Sequence, residues 1–205
     1  EWEEVQGRMR QILDDLNIDY KEASGEAAFY GPKLDIQIKN VHGKEDTLIT
    51  IQIDFQLAER FGMTYVDAEG QTKYPYVIHR TSIGCYERTL ALLLEKYAGA
   101  LPTWLMPEQV RVLPISDRLI DDAKKVEEQL SRAGIRVSCD TRSEKVGYKI
   151  REAQLEKIPY MLVIGDKEVE EGTVSVRSRK EGDLGSMPVE SFLSKILQEI
   201  ATKAK

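Results

Sequence analysis

The sequence is poor in the features that mark membrane, disulfide-bonded and metal-binding proteins. No apolar run approaches the length needed to cross a bilayer, and the acidic start Glu1-Trp2-Glu3-Glu4 lacks the basic region of a signal peptide. Its two cysteines, Cys85 and Cys139, lie far apart without a Cys-x-x-Cys pair, which favours a reducing compartment over a disulfide framework. With only two histidines in addition, a metal site made from this chain's Cys and His alone is hard to assemble.

Excess positive charge is also missing, which argues against non-specific binding to nucleic acid. The formal net charge is −6, and the acidic excess lies before Glu108, because residues 108–205 carry 18 basic and 18 acidic residues. Within that neutral part, residues 142–151 hold four basic residues and one acidic residue. Such a basic face suits one specific anionic partner, and a solvated charged surface is the alternative.

Hydrophobic periodicity in the first half of the chain predicts an antiparallel α+β arrangement. Apolar residues at helical spacing predict helices over residues 2–16 and 85–97. Alternation predicts strands over residues 34–39 and 48–55, joined by a short glycine-containing turn, and a third strand over residues 76–81. We expect the first two strands to form a hairpin with one buried face.

The second half changes to alternating strands and helices after a proline-containing linker at residues 102–107. The predicted strands cover residues 110–115, 136–140, 160–165 and 173–179, and the predicted helices begin at Ser116, Gly147 and Pro188. The order βαβαββα predicts a three-layer α/β domain. We therefore expect two domains, residues 1–106 and residues 107–205.

The first of these domains is expected to be incomplete. Three strands and two helices are too few to cover the polar face of the sheet. The chain also starts without Met and inside a predicted helix, so we expect a piece of a longer protein.

Polar and basic side chains converge on one face of the predicted hairpin. They are Lys33, Thr50, Gln52, Asp54, Arg80 and Arg88. Guanidinium groups bind phosphate oxygens in bidentate fashion, so this set predicts a site for a triphosphate and a carboxylate. The alternative is an amphipathic sheet whose polar side faces water.

Several segments resemble one known family. The run Gly84-Cys85-Tyr86-Glu87-Arg88, at a strand-to-helix junction, resembles motif 3 of the class II aminoacyl-tRNA synthetases. Segments that resemble the threonyl-tRNA synthetases, in the family's order, cover residues 25–33, 50–55, 78–80, 97–105, 147–152, 159–163, 165–168 and 173–177. The resemblance implies the antiparallel α+β end of a class II catalytic domain, followed by a three-layer α/β anticodon-binding domain with a mixed sheet.

The resemblance implies catalytic and cofactor roles in the first half. Arg88 matches the motif 3 arginine that holds the ATP phosphates, and Thr50 and Cys85 match other positions near the nucleotide. The implied threonine-pocket and neighbouring active-site residues are Tyr30, Gln52 and Lys33. The chain departs from the family at Thr47, where Gln is common, and at Cys85, where Ser is common.

The resemblance also implies a metal ligand and an anticodon reader. His79 matches one of three zinc ligands, and the other two would precede Glu1. The positions that match anticodon-contacting residues are Ser143, Arg151, Glu168 and Arg177. Ser143 replaces a common Asn. We further expect Arg142, Lys145 and Lys149 to attract the RNA backbone.

The implied activity is that of an ATP-dependent threonine–tRNA ligase. The intact enzyme would be a cytoplasmic homodimer that uses ATP with magnesium, zinc, threonine and the tRNA for threonine. Motifs 1 and 2 are not in this sequence, so we expect the chain alone not to form the adenylate and to bind zinc weakly or not at all.

Two alternatives remain open at the level of sequence. A truncated or paralogous chain could bind tRNA without catalysis. Another synthetase with the same C-terminal domain, such as the prolyl enzyme, is the second alternative, and His79 together with the Tyr30-Gly31-Pro32-Lys33 context argues against it.

Overall fold

The structure, a computed structural model, describes residues 1–204 and forms two compact units, Glu1–Lys96 and Tyr97–Lys205. The sequence prediction placed the division between residues 106 and 107. Residues 97–106, named here the connecting segment, belong by their contacts to the second unit, where Leu101 and Met106 are buried. No helix within residues 1–204 is both long enough and apolar enough to cross a membrane.

The first unit is built on a three-stranded antiparallel sheet. Its helices are α1 (Trp2–Asp15), α2 (Leu57–Arg60) and α3 (Tyr86–Tyr97), and its strands are β1 (Lys33–Lys39), β2 (Glu45–Asp54), β3 (Tyr65–Val66), β4 (Thr72–Lys73) and β5 (Val77–Arg80). The sheet has the order β1-β2-β5, and β3 and β4 form a separate small hairpin. The predicted hairpin and third strand are therefore confirmed.

The expected burial of one hairpin face holds only in part. Ile36 and Ile78, on β1 and β5, are 46% and 65% exposed. Helix α1 buries only Val5 and Leu13. The sheet is left partly uncovered because the first unit has too few elements to lie over both of its faces.

A bulge in the β1–β2 pair changes which residues face the polar side. Asp35 lies opposite Thr50 and Ile36 opposite Ile49, but Gln37 lies opposite Thr47. One extra residue on β2 therefore turns Thr47 toward the polar side. The Gln37 amide donates a hydrogen bond to the Thr47 hydroxyl at 2.8 Å.

The second unit contains a five-stranded mixed sheet in the order β10-β9-β8-β6-β7. Its strands are β6 (Val110–Pro114), β7 (Val137–Cys139), β8 (Tyr160–Ile164), β9 (Thr173–Ser178) and β10 (Gly182–Pro188). Its helices are α4 (Ile120–Arg132), preceded by a 3-10 turn over Asp117–Leu119, α5 (Val146–Leu155), α6 (Asp166–Glu171) and α7 (Val189–Ala201). Strands β6, β7 and β8 run parallel, and β9 and β10 add antiparallel.

The main core lies between one face of this sheet and the helices α4 and α7. Val112 and Leu162 of the sheet pack there with Leu130 and Phe192 of the two helices. The alternate residue Met161 turns to the other face, where α5 packs on β6 and β8. The predicted mixed-sheet α/β fold is confirmed.

Two elements of the second unit, α6 and β10, were not predicted from the sequence. Helix α6 has only six residues, too few to show a helical period. Strand β10 contains Gly182 and Gly185, which indicate a turn when considered alone. It becomes a strand because β9 offers a partner, with a bulge between Asp183 and Gly185.

The connecting segment is held through its backbone carbonyls. Arg179 donates to the carbonyl oxygens of Ala100 and Leu101 at 3.3 and 2.7 Å. Further carbonyls of the segment accept hydrogen bonds from Gln109, Arg136 and Lys157. The predicted linker is thus a fixed part of the second unit.

Candidate functional site

An open cavity of about 300 Å³ lies on the polar face of the first unit. It is lined by Thr47, Leu48, Thr50, Gln52, His79, Arg80, Thr81, Gly84, Cys85 and Arg88. The fold thus brings together seven of the residues singled out in the sequence, which are Thr47, Thr50, Gln52, His79, Arg80, Cys85 and Arg88. They come from three separate stretches of chain.

Strand register explains this convergence. Gln52 of β2 lies opposite Lys33 of β1 on one side and opposite His79 of β5 on the other, so the three side chains form a row across the sheet. Because side chains alternate along a strand, Thr50 shares the face of Gln52. Thr50, Gln52 and His79 therefore present polar side chains to the cavity, which Leu48 also lines.

Gly84 allows the start of α3 to approach β2. It has a φ of +76°, and a Cβ atom at this position would lie 2.0 Å from the carbonyl oxygen of Leu48. The approach places Arg88 over the strand, where its guanidinium donates to the carbonyl oxygen of Thr47 at 2.6 Å. The Cys85 thiol donates to Glu87 at 2.9 Å, and this bond lowers the pKa of the Glu87 carboxyl.

Tyr30 and Lys33 do not line the cavity, but Tyr30 contacts two residues that do, and Lys33 contacts Asp35 beside it. The Tyr30 hydroxyl donates to the side-chain oxygen of Gln52 at 2.8 Å, and its ring centre lies 6.0 Å from that of His79. Lys33 donates to Asp35 at 2.6 Å. Asp35 was not singled out in the sequence, because nothing there indicated which side chains its carboxylate would meet.

His79 is oriented by a buried carboxylate. Its Nε2 lies 3.1 Å from Oδ2 of Asp54, whose Oδ1 accepts the backbone N–H groups of Gln56 and Leu57. Burial alone would raise the pKa of Asp54, but the Leu57 N–H, the His79 ring and the Gln56 N–H together outweigh it and lower that pKa.

Residues 1–204 do not by themselves make up a zinc site. Within residues 1–204, no group of three or more His, Cys, Asp or Glu side chains is placed to hold a metal ion. Since Nε2 of His79 faces Asp54, Nδ1 is the ring nitrogen left for a ligand. His79 therefore fits the role of a single ligand in a larger site, with a carboxylate behind it.

In the second unit, two of the four anticodon candidates lie at the carboxyl edge of the parallel strands. Ser143 follows β7 and donates to Asp117, which follows β6, at 3.0 Å. Glu168 lies in α6, directly after β8, and accepts the backbone N–H of Gly165 at 3.0 Å. At this edge the chain leaves β6 toward β7 on one side and leaves β8 toward β9 on the other. Such a switch point is a common ligand position in α/β folds.

The other two candidates lie elsewhere. Arg177, on β9, points away from the core that holds Val176, and its guanidinium donates to Asp183 at 3.2 Å. Arg151 is exposed on α5. The alternation that placed Arg177 outward in the sequence is confirmed.

The expected backbone-attracting role of Lys149 is wrong. Lys149 is only 2% exposed and donates to the carbonyl oxygens of Pro114 and Asp140 at 3.3 and 3.0 Å, so it joins the ends of β6 and β7. Arg142 forms ion pairs with Asp140 and Glu152. The basic stretch is therefore less available than its composition indicated.

Two family models cover most of the chain. Residues 1–97 match the "tRNA synthetase class II core domain (G, H, P, S and T)", and residues 109–199 match the "Anticodon binding domain". Together with the antiparallel sheet, the motif 3 junction and the mixed sheet, they define part of a class II aminoacyl-tRNA synthetase.

Its relatives narrow the class. A threonine–tRNA ligase of Clostridium perfringens (strain SM101) is 65% identical over 98% of this chain, and one of Clostridium botulinum (strain Eklund 17B) is 61% identical over 100%. A solved RNA-binding domain of threonyl-tRNA synthetase from Cryptosporidium parvum is 37% identical, with a TM-score of 0.86 over 96% of this chain and 50% of that one. The chain belongs to the threonyl-tRNA synthetase family, and it spans 31–32% of the length of the two ligases.

Proposed function

We propose that the chain supplies the motif 3 wall of the active site and the anticodon reader of a threonine–tRNA ligase. The convergence of Arg88, Thr50, Gln52 and His79 on one cavity carries this proposal. These are the residues that the family resemblance pairs with ATP, threonine and zinc. The whole protein would be a cytoplasmic homodimer that joins threonine to its tRNA with ATP and magnesium.

The chemistry of the cavity fits its proposed role. Arg80 and Arg88 offer guanidinium groups to phosphate oxygens, and a preorganised cation there would stabilise charge that develops during adenylate formation. Gln52, fixed by the Tyr30 hydroxyl, offers its amide to a small polar substrate. This division of the cavity favours phosphates near Arg80 and Arg88 and the amino acid near Gln52 and His79.

Zinc, when bound in the whole protein, would act as a Lewis acid that recognises the amino and hydroxyl groups of threonine. This chain would contribute His79, held by Asp54. The purified chain alone is expected to carry little zinc, and metal analysis that finds one zinc per chain would contradict this assignment.

The anticodon reader would use Arg177 as its main base contact. Within residues 1–204, Arg177 has a single ion-pair partner, Asp183, at 3.2 Å, and both side chains are well exposed. A base edge with two acceptors could replace that weak pair with a bidentate contact. Ser143, Arg151 and Glu168 would make the remaining contacts, and Lys145 would attract the RNA backbone.

The test is binding of the purified chain to threonine tRNA and to the same tRNA with its anticodon bases changed, at one fixed salt concentration. We expect affinity to fall about 10- to 100-fold on anticodon change, as for the loss of one or two base contacts. Arg177→Ala should produce a similar loss and remove the difference between the two RNAs.

Arg132→Ala is the matched control. Arg132 is also an exposed arginine with one carboxylate partner, Glu128, but it lies on α4, which packs on the core face of the sheet. Equal weak binding of both RNAs by the unmodified chain would count against an anticodon reader. An equal loss of affinity in Arg132→Ala and Arg177→Ala would mean that Arg177 contributes only general charge attraction and does not read a base.

A further inference from the structure

Asp35 holds two side chains of the proposed active site at once. Its Oδ2 accepts a hydrogen bond from the Lys33 ammonium at 2.6 Å, and its Oδ1 accepts one from the Thr50 hydroxyl at 2.8 Å. We propose that Asp35 is a positioning residue that fixes Lys33 and Thr50 for the reaction. This inference rests on the function proposed above.

Strand geometry makes the arrangement specific. Lys33 and Asp35 are two residues apart on β1 and so share a face, and Asp35 lies directly opposite Thr50 on β2. The side chains of Asp35 and Lys33 are 15% and 26% exposed, so the pair is shielded from water on most sides. A charge-assisted hydrogen bond in such a place is stronger than one at an open surface.

A negative charge at Asp35 is unexpected beside a cavity that suits a polyanionic ligand. Arg80 and Arg88 line the neighbouring cavity, which suits a polyanionic nucleotide. A carboxylate on the same polar face of the sheet opposes that charge, yet both of its oxygens are already occupied by active-site side chains. Its use is therefore to hold donors in place, not to contact the nucleotide.

Loss of this carboxylate would release the lysine. A lysine side chain is a flexible stem of four carbons, and it loses much conformational entropy when it is fixed. Without Asp35, Lys33 would sample several positions. Its ammonium group would be correctly placed for the nucleotide phosphates only part of the time. Reaction rates fall steeply when a catalytic group is held less exactly.

The test is a chimera in which this chain replaces the matching last third of the Clostridium perfringens ligase, with which it is 65% identical. Adenylate formation is followed by threonine-dependent ATP–pyrophosphate exchange. We expect Asp35→Asn to lower kcat about tenfold, the value of one charge-assisted hydrogen bond, with little change in tRNA affinity.

The control is Asp46→Asn. Asp46 is a carboxylate on the same hairpin that accepts a side-chain hydrogen bond from Asn40 at 2.9 Å, whereas Asp35 accepts its bonds from Lys33 and Thr50. It should leave kcat within about twofold, the scale of a non-catalytic surface change. An equal fall in both variants would mean that Asp35 only supports the hairpin.

A double-mutant cycle separates positioning from general stability. If Asp35 acts through Lys33, then Asp35→Asn should have less effect on kcat when Lys33→Gln is already present than it has alone. Fully multiplicative effects would overturn the proposal. So would an Asp35→Asn chimera with unchanged kcat.

A second measurement uses the 205-residue chain itself and does not depend on activity. Side-chain NMR relaxation of the Lys33 ε-carbon should show a clear rise in mobility in Asp35→Asn and none in Asp46→Asn. Unchanged mobility would overturn the positioning role. A folded wild-type chimera without any exchange activity would instead overturn the proposed function, and the catalytic part of this inference with it.

Discussion

His79 and Asp54 lie diagonally across the β2–β5 pair, with the ring Nε2 3.1 Å from the carboxylate Oδ2. The Asp54 carboxylate therefore has two structural roles. It fixes the ring of the candidate metal ligand, and it accepts the N–H groups of Gln56 and Leu57 at the start of α2. A histidine whose second nitrogen meets a carboxylate is a usual arrangement behind a metal ion.

Replacing Asp54 should weaken the first unit in a pH-dependent way. The pKa of Asp54 is lowered in the folded chain, so its stabilisation is present above the ordinary aspartate pKa and is lost as pH falls through the lowered value. Asp54→Asn should cost about 1–2 kcal/mol at neutral pH, the scale of a lost helix cap. Its unfolding free energy should then change less than that of the wild type as pH falls from 5 to about 3.

The measurement is urea unfolding at several pH values, monitored through the NMR amide signals of β2. Asp46→Asn is the control on the same strand. A parallel fall of wild type and Asp54→Asn with acid would refute the assignment of this pH dependence to Asp54.

Gly84→Ala should lower the free energy of unfolding more than Gly43→Ala does. Both glycines have a φ near +77°, so both substitutions pay for a left-handed conformation, about 1 kcal/mol. Only at Gly84 does the new Cβ meet an atom, the Leu48 carbonyl oxygen at 2.0 Å, while Gly43 has nothing within 4 Å. Urea unfolding of the two variants should therefore differ by at least about 1 kcal/mol, a typical overpacking cost. Equal midpoints would show that α3 does not need this close approach.

The two cysteines should differ in reactivity. Burial, with a smaller effect from Glu127, raises the pKa of Cys139 to about 11, so at pH 8 roughly one molecule in a thousand carries its thiolate. Cys85 is exposed at the mouth of the cavity. A thiol reagent should label one cysteine in a fast phase that Cys85→Ser removes and the other in a slow phase that Cys139→Ser removes. The reverse assignment of phases would contradict the burial of Cys139.

Arg179→Gln should loosen the connecting segment. The substitution removes hydrogen bonds to the carbonyls of Ala100 and Leu101, and each such bond from a charged group contributes about 1.5–3 kcal/mol. Hydrogen exchange measured by mass spectrometry should become faster in residues 97–106. Arg132→Gln, which removes one exposed ion pair, should leave that exchange unchanged. Protection equal to the wild type in Arg179→Gln would mean that other contacts fix the segment.

Much of this protein was determined locally and could be predicted. Alternation at Thr50 and Gln52 was enough to place them on one polar face, because side chains in any strand repeat every two residues. The outward direction of Arg177 followed from the same rule. The order of residues around Gly84 and Arg88 marked the strand-to-helix junction and the family.

Other features depended on partners distant in sequence. Thr47 joins the polar face only because β1 imposes a bulge on β2, and β10 is a strand only because β9 pairs with it. A local pattern does not specify register, since register depends on which two strands meet.

The same limit applies to charged side chains. Composition grouped Lys149 with its exposed neighbours and gave Asp35 no role at all. The tertiary structure buried Lys149 beneath the ends of two strands and placed Asp35 between Lys33 and Thr50. The sequence by itself determined which groups this protein has and on which face of its strands they lie. Only the fold decided which partner each charge meets, because the distances that set hydrogen bonds and burial are created when separate segments pack together.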